Sequence, residues 1–213
     1  MSAEKIYEEF LQDNPCLKML PVWEAYEILL TCSEKGGKIL VCGNGGSASD
    51  SEHIVGELMK GFKLKRELSE VEKGAFSSQE EGSALAEKLQ KGIPAISLNS
   101  HTALMTAVAN DTDYDMVFAQ QVYVYGVQGD VLIAMTTSGN SKNAVNAAKT
   151  AKAIGMKVIG ITGKKDSKLS ACSDICLQMP ADETYRVQEY TLPVYHVLCA
   201  MLEEKLFGDE EEI

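Results

Sequence analysis

The chain has 213 residues, 45% of them hydrophobic and 24% charged, with a formal net charge of −11. That length can bury a full core, and the acidic balance excludes broad binding to nucleic acid or anionic membrane, whose phosphates select basic faces. No apolar run approaches the roughly 18 residues of a membrane span, and the opening MSAEKIYEEF lacks the basic-then-apolar order of a secretory signal, so a cytoplasmic single domain over 1–213 is expected. The six cysteines, Cys16, Cys32, Cys42, Cys172, Cys176 and Cys199, lie mostly in apolar segments without CxxC pairs and read as reduced thiols.

Helical patterns come first, over residues 3–12 and 21–34, the second opening on Pro21. They precede any strand, so residues 1–36 are expected to pack on the domain or on a partner subunit. A strand over 38–42 (KILVC) runs into Gly43-Asn44-Gly45-Gly46-Ser47 and a helix over 48–60. Glycines between a strand and a helix N-terminus turn the backbone tightly and aim N–H groups at one place, which suits an anion; a steric need for glycine explains such a turn as well. Position 48 is Ala, so the loop departs from the GxGxxG dinucleotide pattern, and no nucleotide cofactor is expected. His53 and Glu57 share a face of the following helix at a spacing of four. Alone, such a pair is usually a surface ion pair; following an anion loop, it can serve proton transfer or metal ligation.

Residues 63–92 break the rhythm with six basic and six acidic side chains and little periodicity. They read as a mobile helical excursion on the surface, with a lid as the alternative. A strand over 94–98, helices over 102–109 and 114–125, and a strand over 131–135 follow. Then comes Thr136-Thr137-Ser138-Gly139-Asn140-Ser141, leading into a helix over 142–154. One helix cap explains one hydroxyl, whereas four beside a glycine suggest a phosphate cradle; no Lys follows the glycine, so it is not a Walker loop. Strands over 157–161 and 174–178 and a long helix over 183–206, interrupted by Pro193, complete the pattern before the acidic end Gly208–Glu212, read as a solvated tail. Strands separated by helical crossovers, with both faces apolar, give an α/β class with a doubly wound, five-stranded parallel sheet. Ligands of such sheets sit at the carboxyl ends of the strands. Gln188 and His196 are eight residues apart on the last helix, roughly 12 Å, so a shared ligand requires a bent helix or two subunits.

These motifs, in order, resemble the phosphoheptose isomerase family: Gly43-Asn44-Gly45-Gly46-Ser47, His53 and Glu57, Ala109-Asn110-Asp111, Thr137-Ser138-Gly139-Asn140-Ser141, and Glu183-Thr184-Tyr185-Arg186-Val187-Gln188-Glu189 with His196. The likeness spans about 39–206 without the excursion. It implies the SIS fold, a flavodoxin-like three-layer αβα sandwich, a homotetramer, and conversion of sedoheptulose 7-phosphate to a heptose 7-phosphate. It further implies that Asn44, Gly45, Gly46, Ser47, Asn110, Asp111, Thr136, Thr137, Ser138, Ser141 and Gln188 bind the sugar phosphate together with Glu57. His53, Glu57, Gln188 and His196 would hold zinc, and Glu57 and His196 would transfer protons through an enediolate, with His196 favoured as the carbon base. The sequence departs from the family at Thr191, where a second His is frequent, at Pro193, and in the 63–92 excursion. Among other SIS proteins, the DnaA-binding initiator-associating group shares the NGGS and QE motifs but lacks the last-helix His. Arabinose 5-phosphate isomerases and N-acetylmuramic acid 6-phosphate etherases lack the signature that runs from Glu183 to His196.

Overall fold

The computed structural model describes residues 1–208, so the expected acidic tail lies, apart from Gly208, outside the described residues. Five strands form one parallel sheet: β1 Ile39–Cys42, β2 Ala95–Ser97, β3 Val131–Met135, β4 Lys157–Thr162 and β5 Ile175–Gln178, in the order β2-β1-β3-β4-β5. Between and around them run α1 Ala3–Asp13, α2 Val22–Glu34, α3 Gly46–Met59, α4 Glu70–Gly74, α5 Gly82–Ala86, α6 Thr102–Asp111, α7 Val117–Tyr125, α8 Lys142–Ala153, α9 Lys168–Cys172 and α10 Thr184–Phe207. The sheet is the doubly wound one expected from the alternation of strands and helical crossovers.

Period-2 alternation divides the strands between two cores. Ile39, Val41, Val131, Ile133, Ile159 and Ile161 face a layer built from α1, α2, α3 and α10. Leu40, Cys42, Leu132, Ala134 and Val158 face α7, α8 and α9. Each fully buried Leu, Ile or Val contributes roughly 1.5–3 kcal/mol, so these two layers carry the fold and leave the loops at the strand ends free for polar side chains.

The N-terminal helices pack on their own chain: Ala3, Ile6 and Phe10 of α1 and Ala25, Tyr26 and Leu29 of α2 join the core that contains Tyr195 and Leu198. Pro21 is the cap of α2 rather than its first helical residue. Helix α10 runs unbroken through Pro193 over 24 residues.

The excursion forms α4 and α5, of which only Gly82 and Ala86 are buried. Its base is closed by the Glu67–Gln90 bridge and by Lys91 N–H donating to the Arg66 carbonyl at 2.8 Å.

Candidate active site

The strand order reverses between β1 and β3, and the two polar loops emerge there side by side, as the rule for open α/β sheets places a ligand crevice. The first loop turns at Gly45, whose φ of 58° and ψ of −122° suit only glycine, and α3 begins at Gly46. Gly45 and Gly46 are exposed while Ser47 is buried. Gly43 N–H donates to Asn99 Oδ1 at 3.2 Å, and Asn99 Nδ2 donates back to the Gly43 carbonyl at 2.8 Å. Asn44 forms a reciprocal amide pair with buried Asn143 of α8, each Nδ2 donating to the other's Oδ1 at 2.9 Å, and Tyr114 donates to Asn44 Oδ1 at 3.3 Å. The side chain of Asn44 thus ties the two loops across the crevice.

In the second loop Thr136 and Ser141 share a hydroxyl hydrogen bond at 2.8 Å, with Ser138 3.4 Å from Thr136. Ser141 is the N-cap residue of α8 yet makes no side-chain capping bond. Asn143 Oδ1 takes the Ala144 N–H at 2.9 Å, and the N–H groups of Lys142 and Asn143 remain unconsumed by the cap residue, which suits an anion better than the simple-cap reading does. Thr137 lies 3.4 Å from the hydroxyl of Thr184, the first residue of α10. Gln188, one turn further on, fills with its amide the space a side chain on Gly46 would need.

Deeper along α3 and α10, His53, Glu57 and His196 come together within one chain. His53 Nε2 is 3.1 Å from Glu57 Oε1, and its Nδ1 is 2.9 Å from the hydroxyl of Tyr195, which donates to Asp50 at 3.3 Å. The His53 and His196 rings meet edge to face at 5.0 Å, and Phe62 covers His196 at 5.5 Å. His196 Nε2 is buried without a hydrogen-bond partner. Burial holds this imidazole below its usual pKa, neighbouring His53 adds to the effect, and Glu57 opposes it. These surroundings disfavour the charged ring, and Nε2 is left without a partner.

The expected reach problem between Gln188 and His196 takes a different form. Gln188 serves the loop end of α10 and His196 the His53–Glu57 end, so neither needs another subunit to meet its neighbours. The apolar face of α10 is likewise used within the chain: Val194, Val197, Leu198, Met201 and Leu202 are buried, whereas Leu192 is exposed. Asn110 and Asp111 form the last turn of α6, exposed and hydrogen-bonded to each other at 2.8 Å. Thr191 is buried and donates to the Val187 carbonyl at 2.9 Å, an ordinary back-bond within the helix.

The donor types at His53, Glu57, Gln188 and His196 suit zinc, and the orphaned His196 Nε2 is a nitrogen without other employment. Among the described residues, however, no three His, Cys, Asp or Glu side chains already stand gathered as a metal site. His53 spends Nδ1 on Tyr195 and Nε2 on Glu57.

Sequence reading missed Asn99, Asn143, Tyr114, Asp50 and Tyr195. Signals existed for three of them: Asp50 is one turn before His53 on the same face, Asn143 follows the hydroxyl loop by two residues, and Tyr195 adjoins His196. Asn99 and Tyr114 reach the site only through the tertiary fold.

The chain matches the SIS domain family over residues 16–91 and 78–163. It is 43% identical to a phosphoheptose isomerase of Helicobacter pylori (strain HPAG1), over 80% of this chain and 76% of the relative. A phosphoheptose isomerase of Thermodesulfovibrio yellowstonii is 37% identical over 95% of this chain and 87% of its own length. Among solved structures, the phosphoheptose isomerase of Neisseria gonorrhoeae superposes with a TM-score of 0.72 at 32% identity, covering 93% of this chain and 95% of the other. That of Francisella tularensis gives 0.75 at 30% identity, with 94% and 96% covered. With motifs, strand order and near full-length likeness in agreement, the chain belongs to the SIS-domain phosphoheptose isomerases.

Proposed function

We propose that this phosphosugar isomerase interconverts sedoheptulose 7-phosphate and D-glycero-D-manno-heptose 7-phosphate through an enediolate. The observation that carries the reading is the buried and unpartnered His196 Nε2 beside the His53–Glu57 pair, on α3, which starts at the first anion loop, and on α10, whose first residue Thr184 meets Thr137 of the second. Along α3, Gly46 and His53 are separated by roughly 10 Å, a distance that lets one end of a sugar phosphate sit at the loops while the other reaches the imidazoles.

The hydroxyls of Thr136, Thr137, Ser138 and Ser141 hold the phosphate with the N–H groups of α8, while Gly45, Gly46, Ser47 and Gln188 shape the wall opposite. Asn44 keeps one amide hydrogen and its backbone N–H for the substrate, its carbonyl being taken by Ser47 N–H at 3.1 Å. His196 takes the proton from C1 of the open ketose and returns it to C2. Glu57 moves the hydroxyl proton from O1 to O2, so the aldose forms with atoms and charge conserved. Asn110 and Asp111 are the remaining sugar contacts in this reading.

A zinc ion, one per subunit, would be held by His53, Glu57 and His196, with Gln188 joining them only by leaving its place against Gly46. When bound, it supplies a Lewis acid for the sugar's carbonyl oxygen. The reading also includes assembly into a homotetramer, or at least a dimer. Its support is the apolar surface left on the α6–α7 side, where α6 buries no residue and Tyr123 and Val124 are each 67% exposed.

Ketose–aldose exchange over a panel of phosphorylated sugars, with and without added zinc, tests the function. Turnover of sedoheptulose 7-phosphate above the other sugars is expected. Absence of exchange with every sugar in both conditions would make the chain a non-catalytic sugar-phosphate binder instead.

A further inference from the structure

Arg66, at the base of the excursion, is paired with Glu203 of α10 at 2.7 Å, with side-chain exposures of 0% and 1%. Taking two charges out of water costs several kcal/mol each, and such a pair typically stabilises no more than apolar side chains of similar size. Arg66 also holds a φ of +44°, a region that costs a residue with a β-carbon about 1 kcal/mol or more. Stability alone does not account for two such costs at one residue. Geometry does.

The guanidinium fork makes three directed bonds. Nε donates to Glu203 Oε1 at 2.7 Å, Nη1 to the Leu58 carbonyl at 2.6 Å and Nη2 to the Glu57 carbonyl at 3.0 Å. Those carbonyls belong to the last turn of α3, where orphaned acceptors and the negative end of the helix dipole favour a cation. The Glu203 carboxylate also accepts the N–H groups of Phe62 at 2.8 Å and Lys63 at 2.6 Å. The Phe207 ring lies 4.8 Å from the guanidinium carbon. The fork is therefore held by three bonds along its edge and by a ring against its face.

A rigid connection thus runs from the Glu57 peptide through Arg66 to Glu203, seven residues and about two turns beyond His196 on the same helix. We propose that Arg66 and Glu203 are positioning residues that set the separation of Glu57 and His196 for proton transfer. The proposal rests on the reading of Glu57 and His196 as the proton-transfer pair. Neither positioning residue touches the substrate: their contribution is to keep two helices in register at the point where misplacement by about 1 Å costs on the order of a hundredfold in rate.

Arg66→Lys keeps a positive charge opposite Glu203 but cannot bond the carboxylate and both carbonyls at once. The folded variant should lose roughly ten- to hundredfold in kcat, with KM for sedoheptulose 7-phosphate and the melting temperature little changed. In a Glu57→Gln background, Arg66→Lys should lower the residual rate no further, because its effect passes through Glu57. The double variant Arg66→Met with Glu203→Leu replaces the pair by apolar side chains without leaving a lone buried charge, though the Phe62 and Lys63 N–H groups lose their acceptor, and once shown to be folded it should show the same kcat loss. Wild-type kcat in the folded Arg66→Lys or double variant overturns the proposal, as does an equal loss from Arg66→Lys in both backgrounds, which is the mark of a merely structural role. If Glu57→Gln alone keeps the wild-type rate, the proton-transfer reading falls and this one with it. A large loss in Glu57→Gln beside an unchanged Arg66→Lys overturns only the positioning role.

Discussion

Two side chains divide the proposed chemistry, and their surroundings differ in a way that assigns the roles. Burial disfavours the charged form of His196 and leaves its Nε2 unpartnered, whereas Glu57 already pairs with His53 at 3.1 Å and accepts from Lys60 at 3.2 Å. A neutral imidazole with a free nitrogen suits removal of a carbon-bound proton, and a carboxylate tied to other polar groups suits shuttling between oxygens. His196→Asn and Glu57→Gln should therefore each reduce turnover by about 10²–10⁴-fold while changing substrate binding much less. Deuterium exchange from solvent into the substrate, measured beside metal content, separates them. Wild-type exchange in His196→Asn removes His196 as the carbon base; loss of exchange in Glu57→Gln alone, with metal content unchanged, exchanges the two roles. At the second loop, Ser138→Ala with Ser141→Ala should weaken sugar-phosphate binding in a calorimetric titration while lowering the melting temperature only slightly, because Ser141 makes no capping bond and the hydroxyl bonds lost, to Thr136 and from Asn140 N–H, are part-buried and exposed. An unchanged affinity would remove the loop as the phosphate site.

At the scale of elements, β3 has the bounds its apolar run predicts, Val131–Met135, and the other strands differ by one residue at either end. Runs buried on both faces are legible because every position is apolar. Helix ends were less so: α6 continues past Ala109 to Asp111, which turns Asn110 and Asp111 from an expected loop into a helix end. No glycine or proline marks that boundary in the sequence. The excursion was legible as charged, but Arg66 is fully buried within it, since a buried Arg and an exposed Arg look alike until Glu203 is brought to it from 137 positions away. Asp174, ahead of β5, accepts Lys152 of α8 at 2.8 Å, Lys157 of β4 at 3.0 Å and the Val158 N–H at 2.9 Å. Burial raises its pKa, but those three donors outweigh it and hold the carboxyl below the ordinary 3.8. Its folded pKa lies below its unfolded one, so its contribution is present above pH 3.8 and is lost as pH falls through the depressed folded value. Melting curves through the acid range should fall more steeply for the wild type than for Asp174→Asn, and parallel curves would show that this carboxylate is not linked to folding.

At the scale of the whole molecule, the apolar residues are divided between the chain's own layers and its surface. Those of α10 are spent on α1, α2 and α3 of the same chain, because a long helix beside a parallel sheet is the natural cover for one of its faces. Of the exposed large apolar side chains, six lie on α6, α7 and their flanks, where Leu104, Tyr114, Met116, Tyr123, Val124 and Val127 are exposed between 37% and 67%. Isolated exposed apolar side chains are ordinary, but six on neighbouring elements form a patch of the kind that marks an interface. Tyr114 also donates to Asn44, so a subunit seated here would press on the element that braces the first loop. Assembly and substrate binding should therefore be coupled. Tyr123→Asp with Val124→Asp places charges on two side chains that the core does not use, so the variant should fold while sedimenting as a smaller species than the wild type. Its KM should rise as it dissociates, and raising the protein concentration should restore both size and KM together. A wild type that sediments as a stable, fully active monomer would remove the interface, whereas a dissociated variant with unchanged KM would leave the interface and remove its coupling to the site.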